Sequence, residues 1–289
     1  MSLTWLDRNE YPFAPNWLDV EAGRLHYVDE GKGDPIVMIH GQPTWSFMYR
    51  KLVQDLCGDY RCVAPDLIGF GLSDKPPDWS YRVEAHGENL RRLIQQLGLK
   101  RITLVVHDWG GPIGMSYAVD HPDNIERIVF LNTWMWSFEG ELWARAFSAI
   151  VGGALGRWLN RRHNLFARVF MKGAIADRAH WEQISRNYVE QFAGPEERVG
   201  CAAFPGQVYG ASPWLAEIWR KQPGLARKPV LFVWGMKDPA FREPILQRLR
   251  AAFPDHRLVR QQNIGHYVAE EMGHELSPLI RSFLNETTG

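Results

Sequence analysis

The sequence predicts an α/β fold with a mostly parallel central sheet, flanked by helices and interrupted by a helical cap. Three observations lead there. Short apolar runs such as PIVMI (Pro35–Ile39) and VLFVW (residues 230–234) have no alternating polar face, as expected of strands covered on both sides. Segments with apolar residues at helical spacing separate these runs, which is the order that builds parallel βαβ units. Residues 134–212 break the alternation and contain no run that reads as a buried strand.

Taken in order, Pro35–Ile39 leads into the turn residues His40-Gly41-Gln42-Pro43. Residues 61–64 (RCVA) form the next strand, followed by the glycine-punctuated loop PDLIGFGLSD. Residues 84–97 keep a helical period and stop at Gly98, the residue type that most easily closes a helix. A strand follows over 102–106, a helix over 111–119 and a strand over 127–131. The alternation resumes with 230–234, a helix over 244–252 and a strand over 256–259. The interruption is rich in Trp, Phe, Arg and Gly and helical in pattern. A block inserted between two strands is the usual position of a lid. The expected division is a discontinuous core, 1–133 and 213–289, with a cap over 134–212.

Bulk properties narrow the classes. Thirty-three Lys and Arg balance thirty-three Asp and Glu, so no net field draws nucleic acid or an anionic membrane, and neither is expected as a partner. The basic string RWLNRRH (157–163) reads on that ground as a solvated cap face. Thirteen tryptophans call for a large core or an aromatic-lined cavity. Three cysteines form no disulfide framework and fit a reducing compartment. The start, MSLTWLDRNEYPF, has early charges and no apolar core of a signal peptide, and no apolar run approaches a membrane span. A cytoplasmic chain is the expectation.

The chemistry gathers at VVHDWGGP (105–112). Val106-His107-Asp108-Trp109-Gly110-Gly111 fits a sharp strand-to-helix turn, in which small residues relieve backbone crowding. The apex side chain, Asp108, then points outward and the next backbone N–H faces the same spot. Asp108 taken alone is equally well read as a helix N-cap. Asp238 follows the strand VLFVW, and His266 follows the next strand. Singly they are read as an Asp-Pro turn and a core histidine. Three such residues just beyond strands, in the order nucleophile, acid, histidine, point to a catalytic triad. A non-catalytic binder has no use for all three.

Beyond these residues, the chain resembles the α/β-hydrolase fold family and, within it, the haloalkane dehalogenases. The similarity runs through HGQPTWSFMYR (40–50), RCVAPDLIGFGLSDKP (61–76), VVHDWGGPIG (105–114), WGMKDPAF (234–241) and NIGHYVAEE (263–271). In the cap it includes YVEQFAGPEERVGCAAFPGQV (188–208), whereas HDWGG alone is shared with epoxide hydrolases. The resemblance implies a hydrolase with Asp108 as nucleophile, His266 as general base and Asp238 as the acid, and with no metal or organic cofactor. Some members carry the acid as glutamate after the strand that follows the elbow helix. Here that region reads Leu131-Asn132-Thr133, which leaves Asp238.

A carboxylate at the apex suits displacement at saturated carbon, giving an alkyl ester that water then hydrolyses with help from the histidine. The backbone N–H groups of Gln42 and Trp109 are expected to form the oxyanion hole. A departing halide cannot take a proton, so it needs donors in a dry pocket. An indole N–H donates and has no acceptor to repel the anion. Trp109 is the first such donor by resemblance. Gln42 is the expected second, with the tryptophans at 134, 136, 143 and 158 as competitors, and Pro205 is expected to line the pocket. The partner is then a small haloalkane. The alternative is an epoxide hydrolase with the same triad, in which Tyr188 and Tyr209 donate to the alkoxide.

Overall fold

The computed structural model describes residues 4–287. Residues 1–3, the start of the stretch judged not to be a signal peptide, lie outside the described residues, as do 288–289. Eight strands form one sheet: β1 (Asn16–Val20), β2 (Gly23–Glu30), β3 (Pro35–Ile39), β4 (Arg61–Pro65), β5 (Ile102–Asp108), β6 (Ile125–Thr133), β7 (Val230–Gly235) and β8 (His256–Gln261). Their spatial order is β1-β2-β4-β3-β5-β6-β7-β8. β2 is antiparallel to both neighbours, and the other pairs from β4 to β8 are parallel. The central strands are buried along nearly their whole length, and this is why they read as continuous apolar runs.

The β1–β2 hairpin was not expected from sequence. β1 is a sheet edge whose residues are alternately half-buried and exposed, so it lacks the continuous apolar run used to find strands. The helices are α1 (Arg50–Leu56), α2 (Val83–Gln96), α3 (Gly110–Asp120), α4 (Leu142–Val151), α5 (Ala154–His163), α6 (Met171–Ala174), α7 (Arg178–Val189), α8 (Val199–Gly210), α9 (Ser212–Lys221), α10 (Glu243–Ala252), α11 (Val268–Met272) and α12 (Leu276–Glu286). Between β6 and β7 the chain is helical, and α4 and α5 pack on each other and on α8. α9 returns to pack against α3.

β3 lies between β4 and β5, so the chain reverses its direction across the sheet there, and a crevice opens beyond the carboxyl ends of β3 and β5. Ile39 pairs with Val106, which sets the turn Gly41-Gln42 beside Asp108. The helical segment is tied to the core around Glu270, a fully buried carboxylate. Arg50 reaches it at 2.7 Å, His180 at 3.2 Å, and the Tyr188 hydroxyl donates to it. Burial by itself would raise the Glu270 carboxyl, but Arg50 and these hydrogen bonds bring it down to about 2. A second tie links the histidine loop to residues 174–176. The His266 N–H donates to the Ala174 carbonyl at 2.9 Å, and Glu271 accepts from both the Ala176 and Gly265 N–H groups.

Candidate active site

β5 ends on Asp108 and α3 begins two residues later, which forces a tight turn. Asp108 has φ of 50°, a left-handed conformation that costs a non-glycine residue about 1–3 kcal/mol. Glycine is required around it. A Cβ on Gly110 would lie 2.0 Å from the Ile39 carbonyl oxygen, and one on Gly41 would lie 2.2 Å from Asp108 Oδ1. The Thr133 hydroxyl donates to the Asp108 carbonyl at 2.5 Å and braces the turn from β6.

Asp108 Oδ1 accepts the Gln42 backbone N–H at 2.8 Å, and the Trp109 backbone N–H also bonds this carboxylate. Two N–H groups from different loops therefore converge where a carbonyl oxygen of an Asp108 ester would sit. The His266 imidazole faces Asp108, with Nε2 3.7 Å from Oδ2. That is too long for a direct hydrogen bond. On its far side, Nδ1 lies 2.7 Å from Asp238 Oδ2, so the carboxylate holds the proton on Nδ1 and leaves Nε2 toward the cavity. Asp238 also accepts from Asn132 Nδ2 and the Ala240 N–H, each at 2.7 Å.

These contacts set the ionisation. Burial raises the Asp108 carboxyl above its usual range, although His266 and the two N–H groups pull the other way. Burial alone would depress the His266 imidazole. The Asp238 charge and hydrogen bond, joined by Asp108, outweigh it and raise its pKa. Asp238 is pushed up by burial and pulled further down by His266, Asn132 and Ala240, so it stays ionised.

Several supporting groups escaped the sequence reading. Asn132 stands in the region where some dehalogenases carry their acid, and here its amide reaches Asp238 from that place. His107 packs 4.6 Å from the His266 ring and its Nε2 bonds the His266 carbonyl at 3.0 Å. Burial, then the nearby His266, drives its pKa well below the usual value and keeps it neutral. His40 bonds the Gly41 carbonyl and accepts the Leu67 N–H, both at 2.8 Å, which steadies the turn carrying Gln42. Burial lowers His40 to about 4, so it too is neutral. For His107 and Asn132 the signal was their position next to Asp108 and at the end of β6.

Above the triad lies a cavity of about 630 Å³ with a mainly apolar wall. Asp108, Trp109, Asp238, His266 and Gln42 all border it, and so does Pro205. The Gln42 side chain, however, does not offer its amide N–H groups to this space. Pro205 lies inside α8 and has no N–H, so the helix leaves the Cys201 carbonyl, four residues earlier, without its usual bond. Gln42 Nε2 fills that vacancy at 2.5 Å and also touches Cys201 Sγ at 3.4 Å. Because a carbonyl only accepts, the amide end facing Cys201 must be the NH₂. This corrects the expectation of Gln42 as second side-chain donor: its N–H groups are spent on α8.

The competing tryptophans separate cleanly. Trp136 is buried against Trp219 and under the Arg248 guanidinium, away from the cavity, and Trp158 is exposed. Trp143 borders the cavity but is half-exposed. Trp134 also borders the cavity, edge-on to Trp109 with ring centres 4.7 Å apart. Its Nε1–H is buried without a hydrogen-bond partner among the described residues. The epoxide alternative finds no cap tyrosine. Tyr188 donates to Glu270, and Tyr209 is not among the residues bordering the cavity.

A carboxylate at the apex of the turn after a central parallel strand, followed in chain order by a second carboxylate and a histidine beyond later strands, is the arrangement of an α/β-hydrolase. The family model described as alpha/beta hydrolase fold matches residues 34–271. Haloalkane dehalogenase 2 of Mycobacterium tuberculosis (strain ATCC 25618 / H37Rv) is 38% identical over 95% of this chain and 96% of its own. The cis-3-alkyl-4-alkyloxetan-2-one decarboxylase of Shewanella oneidensis is 34% identical over 96% of this chain and 90% of its own. Among solved structures, the haloalkane dehalogenase DatA from Agrobacterium tumefaciens C58 aligns with a TM-score of 0.84 at 23% identity, covering 95% of this chain and 97% of that one. The chain belongs to the α/β-hydrolase fold family and, within it, to the haloalkane dehalogenases.

Proposed function

We propose that this protein hydrolyses the carbon–halogen bond of small haloalkanes to an alcohol, a halide and a proton, in two steps. The observation that carries the reading is a carboxylate, rather than a hydroxyl, held at the elbow of an apolar cavity with an indole beside it. A carboxylate nucleophile, unlike a hydroxyl, needs no base to activate it, which fits the 3.7 Å gap between Asp108 Oδ2 and His266 Nε2. One oxygen attacks the halogen-bearing carbon, the C–O bond forms as the C–X bond breaks, and halide leaves. Trp109 donates its indole N–H to that halide. Trp134 is the second donor, since its unpartnered N–H lies next to Trp109 and an anion would satisfy it.

In the second step His266 takes a proton from water through Nε2, and the hydroxide adds to the Asp108 ester carbonyl. Asp238 steadies the imidazolium through Nδ1, and the Gln42 and Trp109 backbone N–H groups receive the oxyanion. Collapse expels the alcohol and restores Asp108, so the atoms balance with water alone. Pro205 shapes the pocket and fixes Gln42 through the Cys201 carbonyl it leaves free.

This reading divides the chain into a core of residues 1–133 and 213–289 and a cap of 134–212, the helical stretch that roofs the cavity. A cytoplasmic location is part of it, supported by the free Cys57, Cys62 and Cys201. Among the described residues no helix is long and apolar enough to cross a membrane.

The test is halide release from a panel of short bromo- and chloroalkanes, with an epoxide and a 3,4-dialkyl oxetan-2-one in parallel. Bromide with the matching alcohol is the expected product. Alkene and carbon dioxide from the oxetanone, without halide release, would assign the chain to the activity named for its Shewanella relative. Diol from the epoxide alone would restore the epoxide reading.

A further inference from the structure

The cap carries a surface that the reaction does not use. Seven of the eight large apolar side chains that stand out as exposed among the described residues fall between positions 142 and 170. Leu142 is 82% exposed, Ile150 71%, Leu155 69% and Trp158 57%; Trp143, Val169 and Phe170 complete the set. On α4, Leu142 and Ile150 are two helical turns apart and share a face, as do Leu155 and Trp158 on α5. α4 packs on α5, and two of the exposed groups, Trp143 and Phe170, also border the cavity.

Charge is segregated there as well. Residues 142–176 contain Arg145, Arg157, Arg161, Arg162, Arg168 and Lys172 and not one Asp or Glu. Arg161 is paired with Glu196 at 2.9 Å, while the other five make no ion pair among the described residues. The chain's zero net charge hides this local excess.

We propose that this outer face of the cap seats on an anionic lipid bilayer, with the mouth of the cavity turned toward it. Exposed aliphatic and indole groups enter the acyl–headgroup boundary, and the unpaired arginines meet lipid phosphates. A second copy is disfavoured as the occupant, because an isologous contact would set the same cations against each other. Nucleic acid is disfavoured because the most exposed of these groups, Leu142, Ile150 and Leu155, are aliphatic and offer nothing for bases to stack on, whereas a bilayer takes up aliphatic and aromatic groups alike. Resting on the dehalogenase reading, the seat would let an apolar haloalkane dissolved in the bilayer reach the cavity without crossing water. The docking itself does not depend on that reading.

The experiment is flotation of the full chain with phosphatidylcholine vesicles and with phosphatidylcholine–phosphatidylglycerol vesicles, at about 0.1 M and about 0.5 M salt. Binding is expected to the anionic vesicles and to weaken at the higher salt. Each basic residue at the surface contributes about fivefold to partitioning, so Arg157→Glu/Arg162→Glu should lose at least about 25-fold. Leu155→Ser/Trp158→Ser, two positions that do not border the cavity, should lose about tenfold or more while melting like the parent. Halide release is not needed for this readout, so a failed dehalogenase assay and a failed vesicle assay are distinguishable. No vesicle binding, equal binding to neutral and anionic vesicles, or unchanged binding in both variants would overturn the proposal. Concentration-dependent dimers abolished by Leu155→Ser/Trp158→Ser, without vesicle binding, would assign the face to a second copy and also overturn it.

Discussion

Gln42→Met separates two roles that residue type alone does not distinguish. Methionine keeps an unbranched chain of similar length and leaves the backbone N–H on Asp108 Oδ1 in place. It removes the hydrogen bond to the Cys201 carbonyl, which Pro205 has already deprived of its helical partner. Stranding a buried carbonyl costs about 1–3 kcal/mol. At about 2.1 cal/mol/K per residue, a chain of 289 residues has an unfolding entropy of about 0.6 kcal/mol/K, so the melting temperature should fall by about 2–5 °C. Bromide affinity should change by less than about twofold. Were the side chain donating to halide, losing a hydrogen bond to a charged group would cost about 1.5–3 kcal/mol, or about 10- to 150-fold in affinity. Calorimetry and bromide product inhibition on the same preparation give both numbers. An unchanged melting temperature with a tenfold loss of bromide affinity would refute the structural role of the bond to Cys201 and reinstate Gln42 as donor.

Trp109→Phe should weaken bromide inhibition by about 10- to 150-fold, since it deletes one charge-assisted hydrogen bond. Trp134→Phe should weaken it as well, yet leave the melting temperature within about 2 °C, because relieving an unpaired buried N–H offsets the lost ring volume. Bromide affinity in Trp134→Phe equal to the parent's would remove that residue from the site. For pH, His266 must be neutral to take a proton from water. Single-turnover hydrolysis of the ester should therefore fall as pH drops through the raised imidazole pKa, whereas alkylation should show no such limb. Asp238→Asn should move the limb to lower pH, because it removes the largest influence raising the imidazole and leaves burial to depress it. A limb that stays in place would show that another group titrates.

What could be read from the sequence depended on how locally each feature is encoded. Strands β3 and β7 announce themselves because burial along their whole length leaves no polar side chains in them, and β4, β5, β6 and β8 show through the shorter apolar runs at their centres. The candidate triad stood out in the sequence because Asp108, Asp238 and His266 each lie at or just beyond the end of a strand. The β1–β2 hairpin did not, since an edge strand of five residues has too short and too polar a pattern. Gln42 was chosen for its chemistry, but its partner is Cys201, 159 residues away, and is free only because of a proline in α8. No inspection of either segment alone contains that contact. Asn132 was noticed as an absent carboxylate, while its amide turned out to bond the carboxylate supplied by β7. The basic string at 157–163 is visible in the sequence, but a zero net charge says nothing of it, because electrostatic attraction depends on charge within about a Debye length.

The central claim is a covalent alkyl ester on Asp108 that only His266 can clear. His266→Phe incubated with 1-bromobutane and analysed by intact-protein mass spectrometry tests it directly. The account predicts one equivalent of bromide released and a stable mass gain of one butyl group, mapped by peptide digestion to Asp108 and absent from Asp108→Asn. Folded His266→Phe protein that releases no bromide and carries no adduct, or that turns over repeatedly, would contradict it.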